Sequence, residues 1–92
     1  MGYQITLRKR AVKILEEINE PYFSNIKKAI YSLADNPRPA GCKKLKGRTA
    51  YRIRVSDYRI IYEVFDEELL VDVITLGHRK DIYVKELEGV VP

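Results

Sequence analysis

Polar and apolar residues alternate through "YRIRVSDYRIIYEV", residues 51–64, and nowhere else in the chain is the alternation so regular. A period of two is the mark of strands with one covered face. Ser56-Asp57 at its middle predicts a two-residue turn, which sets the register: Val55 opposite Tyr58, Ile53 opposite Ile60, Tyr51 opposite Tyr62. Residues directly opposite across an antiparallel pair share a face, so these six form one apolar surface. The other face then carries Arg54 opposite Arg59, with Arg52 one pair further along. Like charges set opposite each other cost a few tenths to ~1 kcal/mol. Such a face is either a solvated surface of splayed arginines or a seat for an anion.

The flanking segments predict what covers the apolar side. "GYQITL", residues 2–7, reads as a first strand. "RKRAVKILEEIN", residues 8–19, places Ala11, Val12, Leu15 and Ile18 on one helical face with Ile14 at its margin. Glu20-Pro21 breaks that helix, since proline lacks the amide donor and clashes with the preceding turn. A second helix from Tyr22 to Ala34 shows a stripe of Phe23, Ile26, Ile30 and Leu33 and stops at "DNPRP". "CKKLKGRTAYRIRVS", "YRIIYEVF" and "LLVDVITL" read as three further strands, the last two joined through Asp66-Glu67-Glu68. The last of them is rich in Val and Ile, which predicts an interior strand. "GHRKDIYVKELEG" reads as a short terminal helix or ordered tail, with Asp81 as N-cap and Gly89 as stop.

The order β-α-α-β-β-β-α is that of an α+β domain, a helical hairpin packed on one face of a largely antiparallel sheet. The hairpin takes the Tyr51, Ile53, Val55 side. Arg52, Arg54 and Arg59 are then expected on a face with no helix over it, and "GHRKDIY" at its rim.

Composition narrows the class. Ninety-two residues make one domain, spanning 1–92, and 46% hydrophobic with 33% charged residues predicts a soluble globular chain. No apolar run approaches the ~20 residues that span a bilayer, and "MGYQITLRKR" has no apolar core of a secretion signal. A single cysteine, Cys42, permits no internal disulfide and fits a reducing cytoplasm. Seventeen Lys and Arg against thirteen Asp and Glu leave a charge of only +4, but the excess is concentrated. Arg38, Lys43, Lys44, Lys46, Arg48, Arg52, Arg54 and Arg59 are opposed within their stretch by Asp57 alone. The acids gather at Glu16, Glu17 and Glu20 and at Asp66, Glu67 and Glu68. A one-sided basic block predicts an anionic partner, most often nucleic acid.

Much chemistry is excluded. One histidine, one cysteine and no acids at ligand spacing argue against a protein-held metal, and no phosphate-cradling glycine loop or nucleophile elbow is present. What remains is a cationic face with His78, Arg79 and Tyr83 downstream. If this is an enzyme, RNA suits it, because each RNA linkage carries its own nucleophile in the 2′-hydroxyl. A metal-free site must then hold that hydroxyl in line, neutralise growing charge and move two protons. Arginines serve the second task; His78 or Tyr83 serves the third.

"LKGRTAYRIRVSDYRIIYEV" followed by "LLVDVITLGHRKDIY" resembles the toxins of bacterial and archaeal toxin–antitoxin pairs in the RelE/ParE superfamily, most closely the RelE branch. The likeness runs over nearly the whole chain. It implies a compact, ribosome-dependent endoribonuclease that cleaves messenger RNA through the 2′-oxygen without metal or other cofactor, acts in the cytoplasm, and is silenced by a cognate antitoxin. By resemblance, Arg52 and Arg54 match the family's strand lysines or arginines beside the scissile phosphate. Arg59 matches the arginine that stabilises transition-state charge, Arg79 the one linked to the leaving group, and Tyr83 the tyrosine of stacking and proton transfer. His78 falls where other members carry lysine or histidine. The chain departs from the best-known member in having arginine, not lysine, at 52 and 54. Arginine is a poor general base, which moves that role to His78 or Tyr83. Lys43, Lys44, Lys46 and Arg48 are expected to contact RNA more generally. Two competitors remain: a ParE-type inhibitor that binds DNA gyrase without nuclease activity, and a non-catalytic RNA- or ribosome-binding module. The second lacks the strand aromatics of an RNA-recognition signature.

Overall fold

The computed structural model describes residues 2–45 and 49–82. In chain order these form β1 (Gln4–Leu7), α1 (Lys9–Glu16), α2 (Tyr22–Ser32), β2 (Lys43–Lys44), β3 (Ala50–Val55) and β4 (Tyr58–Phe65). A 3₁₀ turn (Asp66–Glu68), β5 (Leu70–His78) and α3 (Arg79–Ile82) follow. The strands make one sheet in the order β1-β5-β4-β3-β2. β1 runs parallel to β5 and every other pairing is antiparallel. This is the expected α+β class, with β5 in the interior of the sheet.

The central hairpin has the register its alternation predicts: Val55 opposite Tyr58, Arg54 opposite Arg59, Ile53 opposite Ile60 and Tyr51 opposite Tyr62. Ser56 opens the turn with φ of 55°, the left-handed value that two-residue hairpin turns require at their first central position. α1 and α2 pack on the apolar face. Ala11, Leu15, Ile26, Ile30 and Leu33 from the helical side meet Ile53, Ile60, Tyr62, Val64, Val71, Val73 and Leu76 from the sheet. Each fully buried side chain of this size stabilises the fold by ~1.5–3 kcal/mol.

Tyr62 carries a polar tip into that core, and its hydroxyl donates to the Pro37 carbonyl at 2.7 Å. Burial pushes its phenol well above the ordinary tyrosine value. One residue on, Arg38 donates to both carboxylate oxygens of Asp66, at 3.2 and 2.8 Å, and through Nε to the Tyr51 hydroxyl at 2.9 Å. The segment after α2 is thereby pinned to the sheet. Arg38 accordingly leaves the basic block that the sequence suggests, since its charge is matched locally.

Four details differ from expectation. The stretch 42–56 is not one strand; it doubles back, and β2 pairs with β3 to set Lys43 opposite Arg52 and Lys44 opposite Tyr51. Charged residues at 43, 44 and 46 around a lone Leu45 cannot continue the period of β3. Val12 is 38% exposed, and the buried side of α1 is Ala11 and Leu15 with Ile14 and Ile18 partly covered. Val12 lies about 100° around the helix from Ala11, off the stripe that Leu15 and Ile18 continue. α3 begins at Arg79, so Asp81 sits inside the helix and does not cap it; the Arg79 amide instead donates to the Asp57 carbonyl at 2.8 Å. Gly89 lies outside the described residues.

The fourth concerns the second face of the sheet, which is not bare. Leu45, Ala50, Ile61 and Ile82 form a separate buried cluster there with Ile74 against it, so Ile82, the last residue of α3, covers its middle. A bulge makes this possible. Ile61 pairs with Thr75 but Tyr62 with Val73, leaving Ile74 as the extra residue of β5. Below the bulge Val71 and Val73 face the helical hairpin, and above it Leu76 does.

Candidate functional site

β3, β4 and β5 position the cationic residues through ladder geometry alone. Arg54 and Arg59 are cross-strand partners, Arg59 is in turn opposite Gly77, and Arg52 is opposite Ile61 on one side and Lys43 on the other. All therefore project from the face opposite α1 and α2. Arg54 is exposed and Arg59 half-buried. Neither has a hydrogen-bond or ion-pair partner among the described residues, and the Nε of Arg59 is shut off from solvent without an acceptor. An arginine pair held face to face with no carboxylate beside it is costly in the free protein and favourable only once an anion arrives.

Arg79 lies at the turn end of this hairpin. The hydrogen bond from its backbone N–H to the Asp57 carbonyl ties the first residue of α3 to the β3–β4 turn, two positions before Arg59. The exposed side chain of Arg79 has no partner among the described residues. Lys43 extends the cationic row along the sheet edge, whereas Lys44, opposite Tyr51, belongs to the other face.

His78 does not join this group. It pairs with Tyr58, its ring lies 5.7 Å from that ring edge-on, and both line a cleft of about 380 Å³ with Ile14 and Ile18 of the α1 side. Nδ1 of His78 accepts from the Lys80 amide at 3.3 Å, which leaves Nε2 to carry the proton of the neutral ring. Tyr22 adds a third ring, 5.5 Å from Tyr58. Tyr83, Lys46 and Arg48 lie outside the described residues.

The far end of the same face is acidic and closed. Arg8 bonds Asp72 at 2.9 Å and reaches Glu63 at 3.5 Å, and Thr6 donates to Asp72 at 3.0 Å. Arg8, just before α1, is thus matched locally by these two carboxylates. Two features of the face escape a reading by pattern. The Ile61–Ile82 cluster is announced only by out-of-phase isoleucines in "RIIYE" and "VDVITL", and Gly77 only by its place in the register.

Three comparisons bear on this arrangement. The family model of the ParE toxin of the type II toxin–antitoxin system, parDE, matches residues 5–83. A putative RelE-like toxin protein of Escherichia coli is 30% identical over 87 residues, covering 90% of this chain and 92% of that one. The mRNA interferase toxin RelE of Escherichia coli K12 is 31% identical over 83 residues, 87% of this chain and 86% of its own. Among solved structures, a mutant of the E. coli toxin RelE in the free state superposes with a TM-score of 0.77 at 26% identity, covering 99% of this chain and 100% of that one. The toxin of the intact E. coli RelBE toxin–antitoxin complex does so at 0.73 and 29%, over 84% of this chain and 96% of that one. A small sheet with two helices on one side and arginines on the other, matched over nearly its full length by these relatives, places the chain in the RelE branch of the RelE/ParE toxin superfamily.

Proposed function

We propose that this protein is a cytoplasmic, ribosome-dependent endoribonuclease that cuts messenger RNA with the RNA's own 2′-hydroxyl and is held silent by a cognate antitoxin. The observation that carries the reading is the Arg54–Arg59 pair on the sheet face away from α1 and α2, with no acidic partner for either among the described residues. Relatives named mRNA interferase support the activity, and solved toxins bound to RelB-type antitoxins support the partner.

In this reading Arg54 and Arg59 hold the scissile phosphate and offset the charge that grows on it as the 2′-oxygen attacks. Arg52 and Lys43 hold the neighbouring phosphates, with Lys46 and Arg48 as further RNA contacts; Lys44, opposite Tyr51 on the other face, is not among them. Arg79, at the rim, faces the leaving 5′-oxygen. Proton transfer falls to Tyr83, because His78 is engaged with Tyr58 on the opposite side of the sheet. The chemistry asks no cofactor of the protein.

A second reading, a gyrase-binding toxin without nuclease activity, draws on the ParE identity of the matching family model. Mapping mRNA 5′ ends after adding the protein to a translation extract separates the two. Cuts phased to codons are expected, and Arg79→Ala is expected to remove them. Intact message together with arrested supercoiling by gyrase would establish the second reading, and undiminished cutting by Arg79→Ala would contradict the site.

A further inference from the structure

RNA cleavage on the arginine face gives no task to the cleft of about 380 Å³ on the α1 side of the sheet. Ile14, Ile18 and Leu76 form its apolar wall. Tyr58 and His78 also line it, their rings edge-on at 5.7 Å, and Tyr22 adds a ring 5.5 Å from Tyr58. Tyr22 is 39% exposed, and neither its hydroxyl nor that of Tyr58 has a hydrogen-bond partner among the described residues. Aromatic rings gathered at an open cleft attract a cation through their π faces. The charges around these rings have the matching sign. Glu17 and Asp81 border the cleft, and no lysine or arginine is among its described lining residues. Neither carboxylate has an ion pair or hydrogen bond among the described residues. Arg10 shares the adjoining cavity with Asp81, so Glu17 is the less opposed of the two. On a chain of net charge +4, this is a local negative field that attracts a cation and repels a phosphate.

We infer that this cleft docks an arginine side chain carried by a basic segment of a partner protein. A guanidinium stacks flat on a tyrosine ring and donates as a fork to a carboxylate, which an ammonium cannot do. The aliphatic stem of the arginine lies along the wall of Ile14, Ile18 and Leu76. Tyrosine and arginine are also the side chains that most often anchor protein interfaces. The cleft is a surface separate from the arginine face, and its role does not depend on RNA cleavage.

The test titrates the full chain with a blocked alanine pentapeptide that has arginine at its centre, following the ring protons of Tyr22, Tyr58 and His78 by NMR. The arginine peptide is expected to shift all three rings. Its citrulline counterpart, alike in shape but neutral, should need about five-fold more peptide for the same shift, having lost both the ring and the carboxylate attraction. Glu17→Gln, an exposed position just past α1, should weaken the arginine peptide about three-fold with the melting temperature unchanged. Equal titration by the arginine and citrulline peptides overturns the inference, as do ring signals that never move. A 2′-O-methylated RNA trinucleotide that moves the same rings as strongly as the arginine peptide also overturns it, by giving the cleft to RNA.

Discussion

Arg54 and Arg59 oppose stability to function at the scale of single residues. Each faces a like charge across the ladder, and neither has a carboxylate among the described residues to offset it. Replacing Arg54 with Ala removes that repulsion and should raise stability by a few tenths to ~1 kcal/mol in chemical denaturation. Arg59→Ala should cut the cleavage rate by on the order of 10²-fold, the usual loss when one donor to a developing oxyanion goes. A variant that loses both stability and activity would mean the guanidinium is a structural group. Asp66 is the opposite case, a carboxylate whose partners are part of the fold. The hydrogen bonds from Arg38 and Tyr3 hold its carboxyl below the ordinary value. Its contribution is therefore complete above the unfolded value of ~3.9 and disappears as pH falls through the lowered folded one. Asp66→Asn should melt below the wild type at pH 7, and the gap should close as pH drops below about 4. A gap of constant size from pH 7 to pH 2 would remove the carboxylate from that account.

Elements show which parts of this molecule can be read from its residues. The hairpin of β3 and β4 was legible to the pair, because alternation through β3 and the first residues of β4, on both sides of a two-residue turn, admits one register in which the apolar residues coincide. The helices were legible as stripes, and the arginine face followed from the hairpin. The bulge was not. In "VDVITL" the adjacent Val73 and Ile74 break the alternation, but an apolar pair fits an interior strand covered on both faces equally well. Everything above the bulge turned on it: Leu76 reaches the helical core, Thr75 meets Ile61, and His78 comes to lie with Tyr58 and not with the arginines. A histidine followed directly by Arg79 and Lys80 resembles a catalytic base from sequence alone; one skipped residue in the ladder decides its face. Deleting Ile74 tests this directly. It removes the extra residue and leaves Tyr62 opposite Val73 and Ile61 opposite Thr75, now as consecutive pairs, so Leu76 and His78 keep their face. The deletion variant should therefore keep the dispersed amide NMR spectrum of a folded protein and lose at most ~2 kcal/mol, because Ile74 no longer packs on the cluster of Leu45, Ala50, Ile61 and Ile82. A collapsed spectrum would show that β5 needs the bulge for more than setting which residues face the helices.

Across the whole molecule, charge is sorted by face and by end, which a net +4 conceals. The acidic pair Glu63 and Asp72 sits at the β1 end, closed over by Arg8. Lys43, Arg52, Arg54 and Arg59 occupy the other end of the same face, and the α1 and α2 side carries Lys44. RNA bound across the arginine face should release counterions in proportion to the phosphates it places there. For single strands each neutralised phosphate contributes about 0.7 to the slope of log affinity against log salt. Lys43 lies opposite Arg52 on that face, so Lys43→Ala should lower the slope by about 0.7 and leave the cleavage rate at saturation near wild type. Lys44 is its immediate neighbour, with the same charge and exposure, and points the other way. Lys44→Ala should therefore leave the slope nearly unchanged, and the comparison removes net charge as an explanation because both variants lose one unit. Affinity for a non-cleavable single-stranded RNA, measured from 50 to 300 mM salt for the three proteins, gives the answer. Equal slopes for the two variants would mean that RNA does not distinguish the faces of the sheet, and the arginine row would lose its claim to be the binding surface.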